Sequence, residues 1–142
     1  LFQGLKKLRT LKLTRALKIE DSDLKYIASS IPDLEVLNIS VSPKLGADGL
    51  KNLGDQGGCK QLRAFSLDCC EGVSDEALKN LASAIPALKE IELGYCEKLT
   101  DACFDHLAEM KQLKKVDFIK CEKVKDIVKL AGALQGCTVS LS

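Results

Sequence analysis

The chain has no apolar run long enough to span a bilayer, so a membrane-crossing helix is not expected. It has almost no net charge: a balance of +1 gives no overall pull toward nucleic acid or a membrane surface. It opens on no secretory signal, and its seven cysteines are an odd number. A disulfide framework is therefore not expected, and reduced thiols in the cytoplasm or nucleus are. It has a single histidine, His106. The signatures G-x-x-x-x-G-K-[ST], G-x-G-x-x-G, G-x-S-x-G and H-E-x-x-H are all missing. The expectation is a protein that is not an enzyme and uses no cofactor and no metal.

What is present is globular in character. With 46% hydrophobic and 29% charged residues the chain is not a disordered one, and 142 residues suffice for one domain with a real core. Leu1 to Gly4 look like the core of a protease-cleavage tag, which leaves residues 5 to 142 as the domain. The pattern starts abruptly at Leu5 and Leu8 and shows no polar cap at either end, as expected of a fragment or of one half of an assembly.

The chain repeats itself. ASSIPDLEVLNI (28 to 39) and ASAIPALKEIEL (82 to 93) lie 54 residues apart, which is two shorter periods. Aligning on them gives a column of Leu8, Leu34, Leu62, Leu88 and Leu113, in steps of 26, 28, 26 and 25 residues. Three positions on stand Leu11, Leu37, Phe65, Ile91 and Val116, and two further on Leu13, Ile39, Leu67, Leu93 and Phe118. A partial sixth copy supplies Val139 and Leu141. The L-x-L alternation predicts a short strand with both apolar residues on one face. The spacing of Leu24, Ile27 and Ala28, repeated at Leu78, Leu81 and Ala82, predicts a helix. Asp21, Asp75, Asp101 and Asp126 stand where helix caps or first-turn residues are wanted, and Pro32 and Pro86 stop helices. The insertion at 55 to 58 is expected to loop out after its helix. One strand and one helix per 25 to 28 residues make an α/β leucine-rich repeat solenoid of about five repeats plus a terminal strand. Parallel strands should line the concave face and helices the convex face.

LRAFSLDCCEGVSDEALKNLA (62 to 82) and LKEIELGYCEKLTDACFDHLA (88 to 108) resemble the cysteine-containing leucine-rich repeats of F-box leucine-rich repeat proteins and related adaptors. The resemblance implies a horseshoe arc and a binding scaffold, often the substrate-recognition part of a ubiquitin ligase. Ala16 and Ser42 replace the repeat's cysteine and Ala47 replaces its acidic residue, and no F-box is visible.

Within residues 96 to 106, Cys96, Asp101, Cys103, Asp105 and His106 look like a metal or nucleophile cluster. The repeat dissolves it. Cys96 falls in a column with Cys70 and Cys121, where a small thiol can bond backbone groups left open at the strand end. Asp101 falls among the caps, Asp105 aligns with Lys25, Lys51 and Lys79, and His106 aligns with Tyr26, Asn52 and Asn80, all outward positions.

Function is instead expected on the concave face, where another protein would bind. Val41, Cys69, Tyr95 and Ile119 fall at nearly the same position in neighbouring copies and suggest an apolar stripe anchored by Tyr95. Charge is banded. Residues 1 to 19 carry six basic and no acidic residues, residues 111 to 129 seven and three, and the rest eight and seventeen. Lys12, Arg15, Lys115 and Lys120, against Asp68, Glu90 and Glu92, carry this banding onto the face. The expected partner-binding residues are thus Arg15, Val41, Asp68, Cys69, Glu92, Tyr95, Lys115 and Ile119. The alternatives are the recognition arm of an F-box-type ligase and, in another class, nucleic-acid or phosphate binding by the basic ends, which the acidic centre disfavours. The sequence does not fix an oligomeric state.

Overall fold

A computed structural model describes residues 4 to 142, the side chain of Gln56 excepted. The tag-like Leu1, Phe2 and Gln3 lie outside the described residues. Strands and helices alternate: β1 (Thr10–Lys12), α1 (Asp21–Ser30), β2 (Val36–Asn38), α2 (Ala47–Asn52), β3 (Ala64–Ser66), α3 (Asp75–Ala84), β4 (Glu90–Glu92), α4 (Cys103–Leu107), β5 (Lys115–Asp117), α5 (Ile127–Ala133) and β6 (Thr138–Ser140). The inserted residues 55 to 57 form a single 3-10 turn after α2. The six strands pair in chain order in one parallel sheet, and the register brings like positions of successive repeats side by side.

A strand of three residues cannot be stable alone, nor can a five-residue helix such as α4. Stacking makes them so. The apolar columns share one core in which Leu34, Leu37, Leu62, Leu88, Ile91, Leu93 and Leu107 have no exposed surface. Each such side chain contributes roughly 2 kcal/mol of burial. Phe104 of α4 and Phe118 after β5 meet edge to face in this core, their centroids 5.9 Å apart at 68°. Gly72, at the turn into α3, has no room for a side chain: an added Cβ would sit 1.9 Å from the Leu45 carbonyl oxygen of the repeat before. α1 and α3 close at Ile31 and Ile85, one residue before Pro32 and Pro86.

The columns of small polar residues join the repeats. Cys70 donates its thiol to the Ile39 carbonyl at 3.6 Å, Cys96 to that of Leu67 at 3.3 Å and Cys121 to that of Leu93 at 3.0 Å. Burial pushes the Cys70 thiol up to about 11 and raises that of Cys96 further. Such thiols are inert structural donors.

The acidic column opens helices as expected, Asp21 and Asp75 in the first turns of α1 and α3 and Asp126 as a cap, but most of its carboxylates bond elsewhere. Ser74 caps α3 by accepting from the Ala77 N–H at 3.3 Å, and Asp126 caps α5 by accepting from Lys129 at 2.9 Å. Asp21, Asp75 and Asp101 turn away from their own helices instead. Asp21 accepts from the Gly46 N–H at 2.8 Å, Asp75 from the Thr100 N–H at 2.9 Å, and Asp101 from the Lys125 and Asp126 N–H groups at 2.7 and 3.0 Å. Each carboxylate is therefore a strap to the next repeat, reaching across a stack that the single-chain pattern of a cap does not reveal. Asn52 and Asn80 also face a neighbour rather than solvent, donating to the carbonyls of Asp21 and Ala47, each at 2.9 Å.

Candidate functional site

The outward side chains of the strands form two rows fixed by the register. Thr10, Val36, Ala64, Glu90, Lys115 and Thr138 make the first. Lys12, Asn38, Ser66, Glu92, Asp117 and Ser140 make the second. Small residues at Val36 and Ala64 leave a groove of about 340 Å³ between Lys12 on one side and Glu90 and Glu92 on the other.

Beyond the strands the chain must turn toward the convex side, and it does so through left-handed backbone at Arg15, Val41, Cys69, Tyr95 and Lys120, with φ between 57° and 62°. In this conformation the N–H groups of Arg15, Val41, Cys69 and Tyr95 reach the carbonyls of Ser40, Asp68, Gly94 and Ile119 on the next repeat, at 2.7 to 2.9 Å. No glycine serves at these five positions, although the left-handed region costs an ordinary residue about 1 kcal/mol and is hardest for a β-branched one.

This column corrects the expected stripe. The position equivalent to Val41, Cys69 and Tyr95 in the fifth repeat is Lys120, whereas Ile119 is the counterpart of Gly94. Counting two residues on from the inward Phe118 finds Lys120 directly; aligning by apolar character does not. The row running from Arg15 to Lys120 is thus apolar in its middle and basic at both ends. Tyr95 is 53% exposed, Val41 and Cys69 are half-buried, and Arg15 and Lys120 are exposed.

Glu92 and Asp117 lie directly opposite each other in the register, with Asp68 on the neighbouring repeat. Asp68 accepts from the Gly94 N–H at 2.7 Å, Glu92 from the Ser66 hydroxyl at 2.6 Å, and Asp117 from the Ile119 N–H at 2.8 Å. The Ser66 hydroxyl in turn meets that of Ser40 at 3.0 Å, and both serines are buried. Burial raises the Asp68 carboxyl above its ordinary value; the Gly94 hydrogen bond opposes this, and the charges of Glu92 and Asp117 add to it. Asp117 is outside the expected set of binding residues, although its place directly before Phe118 matches that of Glu92 before Leu93 in the repeat columns. Among the expected residues, the structure brings Asp68, Glu92 and Lys115 onto the face of the central strands and Val41, Cys69 and Tyr95 to its rim, with Arg15 at one end of that rim.

The Cys96 to His106 stretch does not converge. Cys96 and Cys103 are buried core residues, Asp105 pairs with Lys129 at 3.1 Å, and His106 is half-buried on α4. Among the described residues no three His, Cys, Asp or Glu side chains are grouped so as to hold a metal ion, and no helix is long and apolar enough to cross a membrane.

Over 70% of its length the chain is 30% identical to F-box/LRR-repeat protein 4 of Bos taurus, and it spans 16% of that relative. Solved structures with the same architecture include a chain of the yeast Rad7 and Elc1 complex, with a TM-score of 0.73 at 22% identity over 90% of this chain and 31% of that one. A chain of the TLR13–ssRNA13 complex gives 0.67 at 19% identity over 96% of this chain and 19% of that one. By fold and by repeat, the chain is a leucine-rich-repeat arc. No protein-family model matches it. In this leucine-rich-repeat arc, residues 10 to 140 hold six strands and five helices, and the candidate site is the outward face of the sheet.

Proposed function

We propose that the chain is a non-catalytic scaffold that binds another protein through the concave strand face. The observation that carries this reading is Tyr95: a large aromatic side chain, 53% exposed, held at the rim of the face by left-handed backbone. Aromatic residues dominate the energetics of protein interfaces, and their two side-chain torsions leave little entropy to lose on binding. The solved relative in complex with Elc1 supports a protein partner. Partner capture with the wild-type chain and with a Tyr95→Ala, Glu92→Lys double variant tests the reading. The partner should be lost from the variant; recovery of the same partners by both would refute this surface.

The narrower reading, a substrate-recognition arm of an F-box-type ligase, draws on the match to F-box/LRR-repeat protein 4. The cysteine-containing repeat subtype is supported by the Cys70, Cys96 and Cys121 ladder. That setting also favours an intracellular location. Nucleic acid is the weaker partner class despite the TLR13–ssRNA13 likeness, because Asp68, Glu92 and Asp117 would repel a phosphate backbone.

A further inference from the structure

We propose that the centre of the concave face docks a protein segment that presents a lysine or arginine side chain to Asp68, Glu92 and Asp117. This rests on the protein-binding reading above and specifies the partner's chemistry.

The unpartnered sheet face is not neutral. Glu92 and Asp117 are direct neighbours across β4 and β5, an arrangement of like charges that destabilises a sheet. The adjacent pair in the same ladder, Glu90 and Lys115, is of opposite charge and offsets itself. Among the described residues none of Asp68, Glu92 and Asp117 forms an ion pair; the three ion pairs join Arg9 to Glu35, Lys44 to Glu20 and Lys129 to Asp105, all elsewhere. The fold therefore gathers three carboxylates and leaves their charge uncompensated.

The same carboxylates are held in place. Each receives a hydrogen bond at one oxygen: Asp68 Oδ1 from Gly94, Glu92 Oε2 from Ser66, Asp117 Oδ1 from Ile119. The Ser40 and Ser66 hydroxyls extend that support under Glu92. Such positioning removes much of the entropy that ordering a flexible side chain would cost on binding.

The occupant follows from charge and size. The arrangement does not converge on a single metal ion. Asp68, Glu92 and Asp117 stand on three successive repeats, Asp68 two residues beyond the row of the other two, so strands spaced at about 4.8 Å spread them over at least roughly 10 Å. A guanidinium or ammonium carried by an extended segment can sit between neighbouring carboxylates of this spread, as a fixed metal ion cannot, and Val36 and Ala64 in the adjoining groove offer an apolar bed for its methylene stem.

Selection of a displayed library of short random linear peptides tests the proposal. Three forms of the full chain serve as bait: wild type, a Glu92→Gln, Asp117→Asn variant, and Ala64→Arg, which obstructs the groove. Circular dichroism and thermal melting check that each is folded. Wild type should enrich peptides rich in lysine or arginine, and a synthetic copy of the best should bind the amide variant, which lacks two of the three charges, at least about tenfold more weakly. The amide variant should melt higher than wild type even as it binds less, a combination that simple misfolding cannot produce. Peptides that depend on the groove, being lost with Ala64→Arg, but carry no basic preference would overturn the cationic partner and leave the protein-binding face standing. Peptides retained by Ala64→Arg, or none above background, would overturn both.

Discussion

The Asp75 carboxylate grips Thr100 of the next repeat twice, taking its backbone N–H at 2.9 Å and its hydroxyl at 2.6 Å. Asp21 and Asp101 hold Gly46, Lys125 and Asp126 by the same device. The column thus strengthens the stacking of repeats where leucine packing alone would allow sliding.

One strap is missing. Position 47 is alanine, at the first residue of α2, and Ser74 stands where Gly46, Thr100 and Lys125 donate in their repeats. Ala47→Asp should restore the strap to Ser74 and add a favourable charge at a helix N-terminus, raising stability by about 1 kcal/mol. Asp75→Ala should lower it by about 2 kcal/mol, since it leaves the Thr100 N–H without its acceptor. Chemical denaturation of both variants reads the two effects; an Ala47→Asp protein no more stable than wild type would show that the strap does not transfer.

Among the described residues, Val41 is the one β-branched side chain on left-handed backbone. Its φ of 62° lies in the left-handed region, where a β-branched side chain is least at ease, and the turn is fixed by the 2.8 Å bond from its N–H to Asp68. Val41→Asn keeps that N–H and suits the conformation, so it should stabilise by about 1 kcal/mol. The same change at Ile119, outside the left-handed column, should bring no gain. Thermal melts of the pair decide the matter, equal shifts counting against backbone strain as the cause.

These positions show how far the sequence could be read. The apolar columns, the alternation of strand and helix, and the inward cysteines follow from period and residue type, because burial selects for size and polarity at fixed spacing. The acidic column was visible too, yet a cap and an inter-repeat strap ask for the same residue at the same place, and only the path of the next repeat separates them. The stripe failed at one position for a similar reason: left-handed backbone is a property of geometry, and Lys120 and Val41 share it without sharing chemistry. The alignment already put Asp117 in the column of Glu92, but the hydrogen bonds that hold the two carboxylates in place appear only in the fold.

The buried thiols predict both reactivity and alkaline behaviour. Cys59 and Cys70 are pushed up to about 11 by burial, and Cys96 and Cys103 further. Unfolded thiols ionise near 8.5. The folded chain thus retains protons that the unfolded chain releases, so this contribution is intact below about pH 8.5 and declines as pH rises toward 11. Denaturant midpoints should fall across that window. At pH 8 a thiol-labelling reagent should modify Cys69, which is half-buried at the rim, before any of these four. Equal labelling rates in the folded chain would contradict the ladder.

Asp68 gives the opposite end of the pH scale. Burial, with the charges of Glu92 and Asp117, raises its carboxyl above the ordinary value near 4, against the Gly94 hydrogen bond. A carboxyl raised on folding makes the folded state bind more protons than the unfolded one through that window. Stability from this group therefore rises as pH falls from the folded value toward 4, and at neutral pH its ionised form is a burden. Asp68→Asn keeps an oxygen to accept from Gly94 and removes the charge, so it should stabilise at pH 7 and lose that advantage below pH 4. High salt should shrink the gain by screening Glu92 and Asp117 without abolishing it, because the desolvation of a half-buried carboxylate is not a screened interaction. A gain that persisted undiminished at pH 3 would show that the amide packs better for reasons unrelated to charge. In that case the crowding of Asp68, Glu92 and Asp117 would not be what the fold holds in reserve for a partner.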